Sequence, residues 1–411
     1  MGISKIKKIV VGLVLVAACT VGTTQMSFFG NSGAQAVTPS EAQKKPLGEK
    51  PLPQPVAPKI TSYWLSDIPM EKTPGLARAR LGIAPTSHPE EVRTKTQKGL
   101  ARFDAIGLSW TEASAEEIEV RVRVLENNGW TSWEELERDD DFTPSGEAAK
   151  PGTEPLLTNG AKGYQIALTT PGGFVPQDVK ITLVDAGESP YDRTIGNSEV
   201  TAEGGKPRII TREEWGVDEN ICSDSVTGEP RRCDWPEEEM DSVRAMTIHH
   251  TAGTNDYTPE DAVRQVRALY AFQAVERDWE DIGYSFVADK FGRLYEGRKG
   301  SIDRPVIGAH ALGFNQITMS VSVMGNYETE KPIPVLLNSL AAVSAWNLDK
   351  YGVVADPNKI VTLPSTIGPA KDVHIIHGHR DLADTLCPGE YLYKKMDEIR
   401  ALAAQYQLSG E

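Results

Sequence analysis

Positive charge is in short supply. The 411-residue chain has 43 Lys and Arg against 58 Asp and Glu, a net charge of −15. Outside the first ten residues no Lys/Arg run exceeds two. A phosphate backbone is therefore a poor partner, and nucleic acid is not expected. Long apolar runs are also missing. The stretch Ile9–Ala18 has ten residues, half of the ~20 that a membrane-spanning helix needs. No internal repeat is visible. With 39% hydrophobic and 25% charged residues, the chain is neither a polytopic membrane protein nor wholly disordered. Its length leaves room for two to three domains.

Cysteine is sparse too, and its placement is informative. Lys5, Lys7 and Lys8, the apolar stretch and Ala34-Gln35-Ala36 read as an export signal cleaved after Ala36. A second reading takes Val16-Ala17-Ala18-Cys19 as a lipobox that would anchor the protein through Cys19. Either way the protein is expected to be secreted, or associated with the cell wall. Of the four cysteines, Cys222 and Cys233 share a polar, loop-like stretch, and a local disulfide is expected in an oxidising compartment. Cys387 is then left without a sulfur partner, and a metal ion would explain it.

Residues 37–59 hold six prolines and read as a semi-rigid linker. Residues 60–190 read as an all-β sandwich. Ile118, Val120, Val122 and Val124 alternate with charged residues, and similar short runs lie at 103–110, 129–137, 161–170 and 178–185. No catalytic cluster is visible there. Trp130 and Trp133 suit buried or edge-strand positions better than sugar stacking. Residues 191–206 read as a second linker. From 207 to 405 the pattern is mixed α/β, with a central sheet flanked by helices. Strands are expected at 244–249, 318–325 and near 373–377, and a hairpin at 284–296 turning at Lys290–Gly292. A helix should open at Thr258-Pro259-Glu260-Asp261, which offers an N-cap, a first-turn Pro and acids at the positive end of the dipole. Further helices are expected at 335–351 and 390–406.

Six of the seven histidines fall in this second half: His249, His250, His310, His374, His377 and His379. His379 and Cys387 are eight residues apart across a loop, so both can reach one ion. His249 closes an expected strand, a rigid place for a third ligand. Two imidazoles and a thiolate with one open position suit catalytic zinc. The His-x-Glu and Pro-Cys-x-x-Cys pattern of zinc deaminases is absent.

Four blocks in order carry a resemblance: TIHHTAG at 247–253, DIGYSF at 281–286, GAHALGFN at 308–315 and GHRDLADTLCPG at 378–389, with TREEWG opening at 211–216. They resemble the zinc N-acetylmuramoyl-L-alanine amidases that share a fold with phage T7 lysozyme and the peptidoglycan recognition proteins. The N-terminal β region is similar to accessory domains of actinobacterial members. The resemblance implies one zinc per chain held by His249, His379 and Cys387. It implies Tyr284 as a catalytic tyrosine and Thr385 as a donor to the oxygen of the scissile amide. His310, with Trp279 and Asn315, would meet the substrate, although Trp279 also suits packing near the groove.

Each assignment has a rival. His250 should face away from His249 and bond a loop. His377 competes with His379 if the strand continues. His374 reads as structural, His88 as surface. Arg380 and Asp381 suit a loop-fixing ion pair. The implied function is hydrolysis of the amide between N-acetylmuramic acid and L-alanine in bacterial peptidoglycan, by a monomer. Recognition proteins that only bind peptidoglycan typically lack the zinc cysteine, which this chain keeps. A zinc hydrolase of another amide is the third reading.

Overall fold

The computed structural model describes residues 53–72, 88–110, 118–139, 151–173, 178–196, 205–223, 230–231, 233 and 238–409. The expected signal, the Cys19 lipobox and most of the first linker lie outside them.

Alternation shapes the N-terminal region. Ten strands form one hydrogen-bonded network: β1 (Lys59–Trp64), β2 (Pro89–Arg93), β3 (Gln97–Ser109), β4 (Glu119–Glu126), β5 (Gly129–Trp130), β6 (Glu134–Leu136), β7 (Arg138–Asp139), β8 (Gly152–Thr153), β9 (Leu156–Pro171) and β10 (Lys180–Asp185). The long β9 pairs with β3 along its first half and with β4 and β2 along its second. The network thereby doubles over. Ile106, Leu108, Ile181 and Leu183 of one layer meet Val92, Val120, Val122, Val124, Ile166 and Leu168 of the other in a single core. The β sandwich is present as expected.

The C-terminal region is an α/β domain. Its six-stranded sheet has the order β11 (Ile209–Ile210), β16 (Leu294–Glu296), β15 (Phe286–Ala288), β17 (Thr318–Val323), β14 (Ala245–His250), β20 (Ile376–Gly378). All neighbours are parallel except β15 and β16, which form the expected hairpin. Two small ladders lie apart: β12 (Cys222–Ser223) with β13 (Pro230–Arg231), and β18 (Ile360–Leu363) with β19 (Lys371–His374). Cys222 and Cys233 are joined as a disulfide.

Helices cover both faces. Met246 and Ile248 point to the face packed by α2 (Pro334–Lys350) and α3 (Met396–Ser409). The opposite face receives α1 (Pro259–Ala271), through Val263, Val266 and Leu269 against Val287 and Tyr295. Thr258 caps α1 in a reciprocal box with Asp261, satisfying two of its orphan N–H groups. Ala105, Leu157, Val184 and Ala186 of the β domain join the same cluster, so α1 lies between the sheet and the β domain.

Three expectations change. The strand near 373–377 is two strands in different sheets, divided at Ile375. The final helix is broken into Glu390–Tyr393 and α3. Residues expected to be linker are partly docked: Val56 N donates to Gly216 O at 3.0 Å, and Asp192, in a turn of helix at Asp192–Gly196, pairs with buried Arg267 at 2.7 Å.

Candidate metal centre and its surroundings

β14 and β20 are parallel neighbours with Ile248 opposite Gly378. The next residue on each chain is a histidine, so His249 and His379 emerge side by side at the same sheet end. Their ring centroids are 4.5 Å apart. The loop after His379 returns on itself: Arg380 N donates to Cys387 O at 2.9 Å, and Cys387 N donates to Thr385 Oγ1 at 3.0 Å. This brings Cys387 Sγ to 3.7 Å from His249 Nδ1. Donor atoms of His249, His379 and Cys387 all lie within 4.8 Å of one another.

The hydrogen bonds fix which nitrogen is bare. Thr318 O can only accept, so His310 Nε2, 3.1 Å away, carries a proton. Burial pushes the His310 imidazole down to about 3, so it is neutral and its Nδ1 must accept. His249 Nε2 lies 3.1 Å from that Nδ1 and donates to it. Burial, then the neighbouring imidazoles, hold His249 well below the usual histidine range. His249 is therefore neutral, with its Nδ1 lone pair turned towards Cys387. A ligand histidine held through its other nitrogen is the usual outer-shell arrangement of a metal site. Burial likewise takes His379 down to about 4. The Cys387 thiol is pushed up, first by burial and then by Glu137, so a cation at this point would favour its thiolate form. Two bare imidazole nitrogens and one buried sulfur fit a zinc ion.

The other expected residues divide. Tyr284 is close, its ring 5.1 Å from that of His249. Gly283 before it has no room for a side chain, since a Cβ there would meet Ala309 O at 2.1 Å. Thr385 sits on the ligand loop. His310 and Trp279 are buried, and Asn315 nearly so. Asn315 Oδ1 accepts from His310 N and Ala311 N, both at 2.9 Å. In this structure His310 and Asn315 shape the site from behind, and Trp279 packs beneath Gly283. His250 Nδ1 accepts from Tyr327 N at 3.1 Å, but His250 also forms a second group with Glu137 and Cys387, whose donor atoms lie within 4.8 Å of one another. His377 is held by Thr247 Oγ1 and His374 O, both at 3.0 Å, and stands outside the three-donor cluster. Arg380 and Asp381 do fix the loop, but not with each other. Arg380 pairs with Glu390 at 3.3 Å, while Asp381 accepts from Gly378 N at 2.9 Å and Tyr393 Oη at 2.5 Å. Trp130 and Trp133 flank Arg123, whose guanidinium is 5.0 Å from each ring centroid.

Two residues at the site lay outside any sequence expectation, and both come from the β domain. Glu137 Oε2 accepts from Thr385 Oγ1 at 3.2 Å, and Glu154 Oε1 accepts from Tyr284 Oη at 3.4 Å. Burial works against the Glu137 charge, but His250 and the Thr385 hydroxyl beside it outweigh that and hold its carboxyl below the usual range. No local pattern marks either glutamate. They reach the site only because the two domains pack together.

The family model described as N-acetylmuramoyl-L-alanine amidase matches residues 239–390. Peptidoglycan-recognition protein SC2 of Drosophila simulans is 31% identical over 188 residues, which cover 46% of this chain and 84% of that protein. The chain belongs to the peptidoglycan recognition protein and amidase family. Peptidoglycan recognition protein 1 of Bos taurus is 29% identical over 187 residues, 45% of this chain and 80% of that one. Residues 41–195 match a model described as Rv3811 N-terminal galactose-binding domain-like. The family domain is thus preceded by a galactose-binding-like β domain. Among solved structures, Drosophila PGRP-LB aligns at 26% identity over 46% of this chain and 92% of its own, with a TM-score of 0.35. Among the described residues no helix is long and apolar enough to cross a membrane.

Proposed function

We propose that this family member is a zinc-dependent amidase that cleaves the bond between N-acetylmuramic acid and L-alanine of the peptidoglycan stem. The convergence of His249, His379 and Cys387, with the His249 lone pair already turned inward, carries this reading. One zinc ion per chain, when bound, would supply a Lewis acid that polarises a carbonyl and acidifies water. His249, His379 and Cys387 would hold it. His310 fixes the His249 tautomer. The Tyr284 and Thr385 hydroxyls are the neutral donors on hand for a developing oxyanion. Thr385, being uncharged, contributes less than a cation would at that position.

The reading includes export. Residues 1–36 would be the signal, 37–59 and 191–206 the linkers, 60–190 the accessory β domain and 207–405 the catalytic one. The mature protein would act as a monomer on the cell wall. Mass spectrometry of purified peptidoglycan digested by zinc-loaded residues 37–411 tests it. Free stem peptides beside intact glycan chains are expected. Intact peptidoglycan that retains the protein would instead assign a binding role, and cleavage elsewhere in the muropeptide would assign a different hydrolase.

A further inference from the structure

Tyr284 and Thr385 each have one hydroxyl proton, and in this structure each gives it to a carboxylate of the β domain. Glu154 takes the first and Glu137 the second. The glutamates are coupled, because Glu154 N donates to Glu137 O at 3.0 Å. They flank the short β7–β8 ladder, where Arg138 faces Thr153 and Asp139 faces Gly152. That ladder joins β3 through Ser109 opposite Gly152 and through Trp110 N donating to Pro151 O at 2.9 Å. Further contacts hold the segment over the site. Glu134 Oε2 accepts from Asn326 Nδ2 at 3.0 Å, Gln273 Nε2 donates to Glu154 Oε2 at 3.3 Å, and Glu137 Oε1 lies 3.9 Å from His250 Nε2.

A carboxylate is a good mimic of the oxygen these hydroxyls would serve. It carries negative charge on oxygens that accept hydrogen bonds, as the oxyanion of amide hydrolysis does. While Glu137 and Glu154 remain, neither proton is available to substrate. An oxyanion forming beside them would also meet two like charges in a partly buried, weakly screened site. The arrangement is that of an occupied site, with the occupant supplied by the chain itself.

We propose that the N-terminal domain caps its own active site, with Glu137 and Glu154 standing where the scissile carbonyl group of the substrate would go. The proposal rests on the amidase reading for the roles of Tyr284 and Thr385. Turnover then requires Glu137 and Glu154 to withdraw from Thr385 and Tyr284. The β domain is an intramolecular inhibitor as well as an accessory domain.

The test compares the zinc-loaded mature chain with Glu137→Ala/Glu154→Ala and with the more conservative Glu137→Gln/Glu154→Gln. Two quantities are read: the initial rate of stem-peptide release from peptidoglycan, and the calorimetric Kd for N-acetylmuramic acid, a stable product whose lactyl carboxylate would compete for the same hydroxyls. The expected result is a rise of about tenfold or more in both rate and affinity for the alanine pair, as for removal of one or more competing charge-assisted hydrogen bonds. The glutamine pair should show a smaller rise in the same direction, and its unchanged thermal midpoint guards against loss of fold. A fall in rate with unchanged affinity would overturn the cap and make the glutamates working members of the site. If no chain releases stem peptide and affinity still rises, the cap stands and the amidase reading fails.

Discussion

The two domains are built by different rules, and they show their chemistry differently. In the α/β domain the candidate ligands project from the ends of neighbouring parallel strands. Two histidines and the loop that follows are enough to assemble three donor atoms. Short-range patterns in the chain can reveal such a site. In the β domain the strands pair antiparallel around one apolar core, and among its described residues no metal-ligand group forms within the domain alone. Its contribution to the site comes from the edge that touches the other domain, through Glu137 and Glu154. A domain can thus lack chemistry of its own and still decide what another domain's site is able to do.

The sharpest way to break that comparison is to remove a proposed metal ligand from the α/β domain alone. Cys387→Ser replaces the single sulfur donor and is expected to abolish stoichiometric zinc binding and turnover, with the β domain unaffected. Metal analysis and amide release on the same sample check it. A variant that retains one zinc and full activity would disprove the ligand set.

Tyr284→Phe should come next in size. Losing one oxyanion donor costs about 10²–10³ in turnover, while zinc content should stay at one per chain and KM should change little. A lowered thermal midpoint with normal turnover would make Tyr284 a packing residue instead.

The domain contact itself is tested through Glu276. Its carboxylate, almost fully buried, accepts from Ser109 Oγ at 2.6 Å, Thr182 Oγ1 at 2.8 Å and Lys180 Nζ at 2.6 Å, all from the β domain. Glu276→Ala strands the buried Ser109 and Thr182 hydroxyls, while the part-exposed Lys180 can turn to water, and should cost about 2–4 kcal/mol. Denaturant unfolding reads it, and a loss below about 1 kcal/mol would mean water replaces the carboxylate. The smallest effect belongs to the disulfide. The loop closed by Cys222 and Cys233 is short, so its removal should cost no more than about 3 kcal/mol. A thiol count on denatured, unreduced, metal-free residues 37–411 should find one free cysteine, and three would refute the pairing.

Much of this molecule could be read from sequence because local and long-range demands agree. Val120, Val122 and Val124 alternate because one face of β4 is buried. Thr258-Pro259-Glu260-Asp261 begins a helix in the structure as it does on paper. The reading weakens where pairing partners decide. At Ile375 a single apolar run becomes two strands, since His374 pairs with Ile360 in one ladder while Ile376 pairs with Met246 in another. No periodicity signals such a change of partner. The roles of His310 and Asn315 were hidden for a related reason. A histidine in a motif says that imidazole is needed, but only the bonds to Thr318 O and His249 Nε2 show that it works from behind the ligand. The two β-domain glutamates were the least legible, because nothing in their own neighbourhood reflects the groups they meet.

The packing of Phe272 has a practical consequence for anyone who handles this protein. Its ring lies so close to Gly107 that a Cβ there would meet the ring's Cζ at 2.3 Å, and Ala105, Leu157 and Val184 share its apolar cluster. A C-terminal half produced by itself would turn that seam outward as a greasy patch beside α1. Poor solubility or self-association of such a fragment would then reflect the cut. The unit to purify, crystallise or transplant into another host is both halves together.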